Sequence, residues 1–177
     1  MDAPPEFTHL VDMHYAPLYR FALSLSRQQS TAEDLTQQTF LLWARMGSTL
    51  RDGTKAKTWL FTTLYREWLG IARREKRFVT EEFNEETAEA EGMEVVDEDV
   101  TSVDAALIRE SLSRLPDAYR APLVLFYMKE MAYKDIAEVL EVPIGTVMSR
   151  LSRGKDMLRK ELRTVMACGG EGEGGPS

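Results

Sequence analysis

The sequence predicts an all-α protein of two small helical domains joined by an acidic flexible linker, the C-terminal one containing a helix-turn-helix. Three observations predict it. Apolar residues recur at helical spacing on either side of a gap near residues 80–102. Negative charge is concentrated in that gap. Beyond it, two short apolar-periodic segments meet at Pro143, Ile144 and Gly145, and the second turns basic.

In the first part, Phe7, Leu10, Val11, Tyr15, Leu18, Phe21, Ala22 and Leu25 form one stripe, with Pro17 predicting a kink or a break between two helices. A second helix is expected over 33–46. Ser30 and Thr31 precede Glu33 and Asp34 at capping-box spacing, and Leu35, Phe40, Leu41, Trp43 and Ala44 follow. A basic, flexible loop is expected from Gly47 to Lys57, and then a third helix. In it Trp59, Leu60, Leu64, Trp68 and Ile71 point inward, and Arg66, Arg73, Arg74, Lys76 and Arg77 stay in water. Aromatic rings interleaved with cations suit single-stranded nucleic acid, where bases stack and cations follow phosphates. The bland reading puts the tryptophans in the core and the cations on a solvated helix end.

The formal net charge is −7, which by itself would argue against a nucleic-acid partner. The average conceals a segregation. Residues 1–79 carry 11 basic and 8 acidic groups, residues 80–105 carry none and 11, and residues 106–177 carry 11 and 10. The acidic segment has few large apolar residues and charges that repel one another, so an extended linker is expected. Its roughly 23 residues would average about 25 to 30 Å as a coil and reach at most about 80 Å. Residues 167–177, rich in glycine, read as a disordered tail, and Cys168 there has no metal-ligand spacing around it. No apolar run approaches the roughly 20 residues of a membrane span, and the N-terminus has no signal-peptide core. A cytoplasmic location is expected.

The second part opens with a helix through Val103, Leu107, Leu112 and Leu115, stopped by Pro116. The next, from Asp117 or Pro116, accommodates Pro122 only near its first turn. Ile136, Ala137, Val139 and Leu140 then face Val147, Leu151, Leu158 and Leu162 across the turn. Val142 and Ile144 would pin that turn, Gly145 would supply its backbone freedom, and Thr146 would cap the second helix. From 146 to 163 there are six cationic residues against two acidic ones. Ser149, Arg150 and Arg153 lie in the N-terminal half, the part a recognition helix presents to the major groove. A plain amphipathic hairpin with a solvated basic face is the alternative.

From about Met13 to Leu162 the chain resembles a small two-domain sigma factor of the extracytoplasmic-function (ECF) type, of the sigma-70 family. Two stretches carry the resemblance: AEDLTQQTFLLWAR, and LPDAYRAPLVLFYMKEMAYKDIAEVLEVPIGTVMSRLSRGKDMLRKEL. The resemblance implies a promoter-specific initiation factor with region 2 at 1–79, a linker at 80–102 and region 4 at 103–166. It places Asp34, Leu35, Gln38, Phe40 and Leu41 on the helix that docks on the clamp of the largest subunit of core RNA polymerase. Leu50 and Arg51, with Arg66, Arg73, Arg74, Lys76 and Arg77, match the part that opens and reads the −10 element of promoter DNA. Thr146, Met148, Ser149, Arg150, Arg153 and Lys155 fall on the helix that reads the −35 element. It further implies an anti-sigma partner, which could hold the protein near the membrane, and a monomer when free. Arg66 stands where the family usually has Asn, Leu50 where an aromatic is common, and Ala132 where Ser or Thr caps a helix.

Catalytic chemistry has no anchor in the sequence. His9 and His14 are about 140° apart around a helix and share no face as metal ligands at i, i+4 would. There is no Walker loop, GxSxG or HExxH. No enzyme activity, metal or cofactor is expected. The competing functions are a helix-turn-helix regulator acting without polymerase and a helical interaction module.

Overall fold

The structure, a computed structural model, describes residues 6–50, 52–81 and 103–169. Seven α-helices are found there: α1 Phe7–Ser26, α2 Gln29–Met46, α3 Ala56–Glu81, α4 Val103–Ser113, α5 Asp117–Leu123, α6 Tyr133–Leu140 and α7 Ile144–Gly169. Among the described residues there is no strand. The linker predicted for 80–102 falls outside them apart from its first two residues, which belong to α3, as does the tail from 170 onward.

Helix α1 runs unbroken through Pro17. An interior proline costs about 3 kcal/mol, but Leu18, Phe21, Ala22 and Leu25 beyond it are all buried. Burying large apolar side chains gains about 1.5 to 3 kcal/mol each, so continuing the helix wins. It ends at Arg27, whose left-handed backbone (φ 57°) lets its N–H reach Leu23 O. That early turn also overturns the expected capping box. Helix α2 starts four residues before the predicted start, behind Gln28, with no side-chain cap. Thr31 donates instead to the Gln28 side chain.

Helix α2 buries Ala32, Leu35, Thr36, Thr39, Phe40 and Trp43. The two threonine hydroxyls donate to Ala32 O and Leu35 O, each at 2.7 Å, which meets their hydrogen-bonding need inside the core. The loop expected at 47–57 is largely wound, with 3-10 turns at Gly47–Thr49 and Gly53–Lys55. Asp52 caps the second turn by accepting from the Thr54 N–H at 3.0 Å and the Thr54 hydroxyl at 2.6 Å.

In the second part, Pro122 is the sixth residue of α5, beyond the first turn where it was expected. The winding widens to a π-helical segment, Val124–Met128, directly after Leu123. The turn between α6 and α7 also differs. Its left-handed residue is Glu141 (φ 55°), while no described glycine has positive φ. Helix α7 starts at Ile144, so Thr146 lies inside its first turn and is not its cap, and its N–H bonds Pro143 O. Ile144 is half exposed rather than pinning the turn. At the other end α7 continues through exposed Cys168 to Gly169. Its apolar stripe extends to Val165, which is buried, and this carries the helix past the predicted end at 166.

The first three helices pack pairwise, and α7 packs against α4, α5 and α6. The two groups also touch each other. Helix α3 lies against α6 and α1 against α5, and one apolar cluster runs from Leu10 to Leu151 through both.

Candidate nucleic-acid interface

Two faces come out of this packing. On the first group an open groove lies between α2 and α3, lined by Asp34, Leu35, Gln37, Gln38, Leu41, Glu67, Ile71 and Arg74. Asp34 and Gln38 are exposed, and Leu41 is 45% exposed. Leu35 and Phe40, expected on the docking surface, are core residues at 2% and 6% exposure. The helical period explains it. Residue 41 lies six positions beyond 35, about 120° around the helix from it, while the stripe 32, 35, 36, 39, 40, 43 holds the inward face. Phe40 stacks on Tyr15 of α1, with ring centroids 6.1 Å apart.

The −10 candidates are dispersed. Leu50 is half buried against the apolar cluster. Arg51, and the side chains of Lys76 and Arg77 in α3, lie outside the described residues. Arg73 and Arg74 are exposed, but Arg74 lines the groove with Asp34 and Gln38 and donates to Gly70 O. Arg66 is taken up by Glu141, with Nε donating to Oε1 at 2.6 Å. Of the tryptophans, Trp43 is buried and meets the half-buried Trp59 edge-on at 5.1 Å, so both serve packing.

The α7 candidates hold together better. Val147, Leu151 and Gly154 face inward, while Met148 (54% exposed), Ser149 and Arg153 face water. Thr146 and Arg150 are half buried. Ser149 donates to Thr146 O at 3.1 Å, tying its hydroxyl to the helix it sits on. Lys155 is drawn back. Its ammonium lies 5.8 and 5.6 Å from the ring centres of Phe126 and Tyr127, and the bond to the Tyr127 hydroxyl raises its pKa.

Arg120 is the residue that sequence reasoning missed. Its side chain is buried, 1% exposed, and it donates to Leu115 O at 2.7 Å and Ser113 O at 3.4 Å while pairing with Asp117. It thereby ties down the α4–α5 turn, and desolvation pulls its pKa down. Nothing in its immediate sequence marks it as buried.

The description "Sigma-70 region 2" matches residues 10–78, and "Sigma-70, region 4" matches residues 105–158. The ECF RNA polymerase sigma factor SigW of Bacillus subtilis is 30% identical over 170 residues, which cover 90% of either chain. The chain belongs to the ECF sigma factors of the sigma-70 family. These are transcription-initiation factors that direct RNA polymerase to promoters.

The ECF sigma factor SigE of Mycolicibacterium smegmatis is 34% identical over 164 residues, spanning 90% of this sigma factor and 63% of that longer chain. Among solved structures, the sigma factor RpoE in complex with the anti-sigma factor NepR from Bartonella quintana is similar in fold. Its TM-score is 0.74 at 28% identity, over 89% of this chain and 96% of that one. Among the described residues no helix is long and apolar enough to cross a membrane, and no cluster of His, Cys, Asp or Glu could hold a metal.

Proposed function

We propose that this sigma factor docks on the clamp of the largest subunit of core RNA polymerase through the α2–α3 groove, with Asp34, Gln38, Leu41 and Arg74 in contact. Leu35 and Phe40 act by holding α2 in place. Residues 1–79 then read the −10 element with the α3 cations Arg66 and Arg73. Residues 103–166 read the −35 element with Ser149, Arg150, Arg153 and Met148 of α7. The observation that carries this division is α7 itself, with one face packed on its own domain and the opposite face offering serine, methionine and arginine at groove-reading spacing.

A helix-turn-helix regulator working without polymerase would have no use for a half-exposed leucine beside an open groove on α2, and Leu41 therefore favours docking. The solved RpoE was crystallised with an anti-sigma factor. A partner of that kind, which would hold this chain idle in the cytoplasm or close to the membrane, suits the same exposed groove and basic faces.

Reconstitution tests the reading. Purified core polymerase should retain the chain in a pull-down, and Leu41→Asp should weaken retention at least tenfold. Run-off transcription from a genomic promoter should depend on the added chain. Absence of both capture and start-site-specific transcripts would return the chain to the regulator reading.

A further inference from the structure

Gly145 is not needed where it stands by the fold itself. Glu141 supplies the left-handed residue of the turn, no described glycine has positive φ, and Gly145 lies exposed in the first turn of α7. Packing does not demand it either. A Cβ at residue 145 would meet nothing within 4 Å among the described residues, whereas one at Gly154 in the same helix would come within 3.0 Å of Leu123 Cδ1. A helical glycine gives up stability that alanine would keep, so the reason for this one lies outside its own domain. Gly70 of α3 is equally unobstructed, and openness alone therefore decides nothing. The neighbours of Gly145 set it apart.

At about 100° per residue, the solvent side of α7 divides into two edges with Gly145 between them. Ile144 and Met148, one turn apart, stand on one edge, and Ser149 and Arg153 on the other. The first edge is apolar and wet. Ile144 is 50% and Met148 54% exposed, while Val147 and Leu151 are buried on the opposite side. Met148 also borders, with Tyr133 and Leu151, an open cleft of about 290 Å³ that holds Lys155, Asp156 and Arg159. Two cations against one acid beside so small an apolar edge favour a polyanion over the apolar face of another protein. DNA presents one group that such an edge fits. In the major groove the C5-methyl of thymine is the apolar feature of the base edges, and the rest are hydrogen-bond donors and acceptors.

We propose that Ile144 and Met148 read the C5-methyl group of a thymine in the upstream element, and that residue 145 is bare so that α7 can approach the base edge closely enough to make that contact. The proposal deepens, and rests on, the assignment of α7 as the −35 reader given above.

The test is run-off transcription by core polymerase with the full chain, on a genomic promoter whose upstream thymines are replaced one at a time by deoxyuridine. That change removes the methyl and keeps every hydrogen-bonding group. At one or two positions the parent should lose about fourfold in yield, the factor that burying one methyl supplies. The variant Ile144→Ala with Met148→Ala alters two exposed side chains, and it should transcribe thymine and deoxyuridine templates equally. Gly145→Ala should lower the yield and shrink the discrimination while raising the melting temperature of the free chain, a split that a merely structural glycine would not give. Three results would overturn the inference: a parent indifferent to deoxyuridine throughout but sensitive to full base changes, a double variant that keeps the parent's discrimination, or a Gly145→Ala chain with unchanged yield. A double variant that keeps the discrimination but is captured less well by polymerase would make the edge a protein contact. Indifference of the parent to every base change in the upstream element would instead remove the −35 assignment itself.

Discussion

Gly47 lies against the indole of Trp43, so close that a Cβ at residue 47 would fall 2.6 Å from the ring. The contact closes α2 and starts the 3-10 turn that leads toward α3. Gly47 is in a right-handed helical conformation, so close approach and not backbone freedom demands glycine here. Gly47→Ala must push Trp43 off the edge of Trp59 and should cost about 1 to 3 kcal/mol. Urea unfolding followed by tryptophan fluorescence measures it. An unchanged midpoint would mean that the ring has room to move.

Arg120 donates to the carbonyls of Ser113 and Leu115 in the α4–α5 turn. Arg120→Ala strands them, while Asp117 at 57% exposure is left to water, and the expected loss is about 1 to 3 kcal/mol. Arg120→Lys cannot reproduce the fork that reaches Leu115 O and Asp117 together, and it should recover only part of the loss. Equal stability of Ala and Lys variants would place the cost in lost packing instead.

Ala132 occupies the N-cap of α6 with extended backbone (φ −66°, ψ 153°) and no capping side chain. The residue is exposed, so a hydroxyl meets no obstruction. Ala132→Ser should stabilise the protein by about 1 kcal/mol. Calorimetry on the full chain gives the answer, and a lowered melting temperature would contradict the cap geometry.

His14 on α1 should make stability pH-dependent. Burial lowers its pKa below the usual 6.5, with Lys57 and then His9 adding repulsion. The folded chain therefore binds this proton less readily than the unfolded one. Its contribution is fully present above pH 6.5 and is lost as the pH falls toward the folded value. Urea midpoints should drop from pH 7 to 5, and His14→Gln should flatten that drop. Parallel pH profiles for the two proteins would remove His14 from the account.

Arg153 faces solvent on the outer side of α7. If it makes a bidentate base contact, Arg153→Ala should cost about 1 to 3 kcal/mol in promoter discrimination and relax preference at one base pair of the upstream element. Lys155→Ala should matter less for sequence, because Lys155 is held over the Phe126 and Tyr127 rings. The comparison is run-off yield on a panel of single-base promoter variants. A uniform loss across the panel would make Arg153 a phosphate contact.

The helices themselves were legible because their signal is local. The stripe through Leu10, Leu18, Phe21 and Leu25 repeats at helical spacing, and so does the pair of stripes meeting at Pro143. Charge segregation likewise marked the divide between the two groups without any fold. Capping and turn chemistry were read less well. Serine, threonine and glycine near a helix end compete with neighbours for the same backbone groups, and which one wins depends on where the preceding helix stops. Arg27 stopping α1 decided the start of α2, and Glu141, not Gly145, supplies the left-handed residue of the turn.

The chain alone determined that it would be helical, that it would fall into two basic-faced groups around an acidic stretch, and that α7 would carry the groove-reading pattern. Hydrophobic period and charge order are written in consecutive residues. Tertiary structure alone decided that Leu41 stays outside while Leu35 and Phe40 go in, that Arg120 is buried, and that Arg66 meets Glu141. Each of these depends on which surfaces approach in space, and residues 75 positions apart share no local periodicity that could announce their meeting.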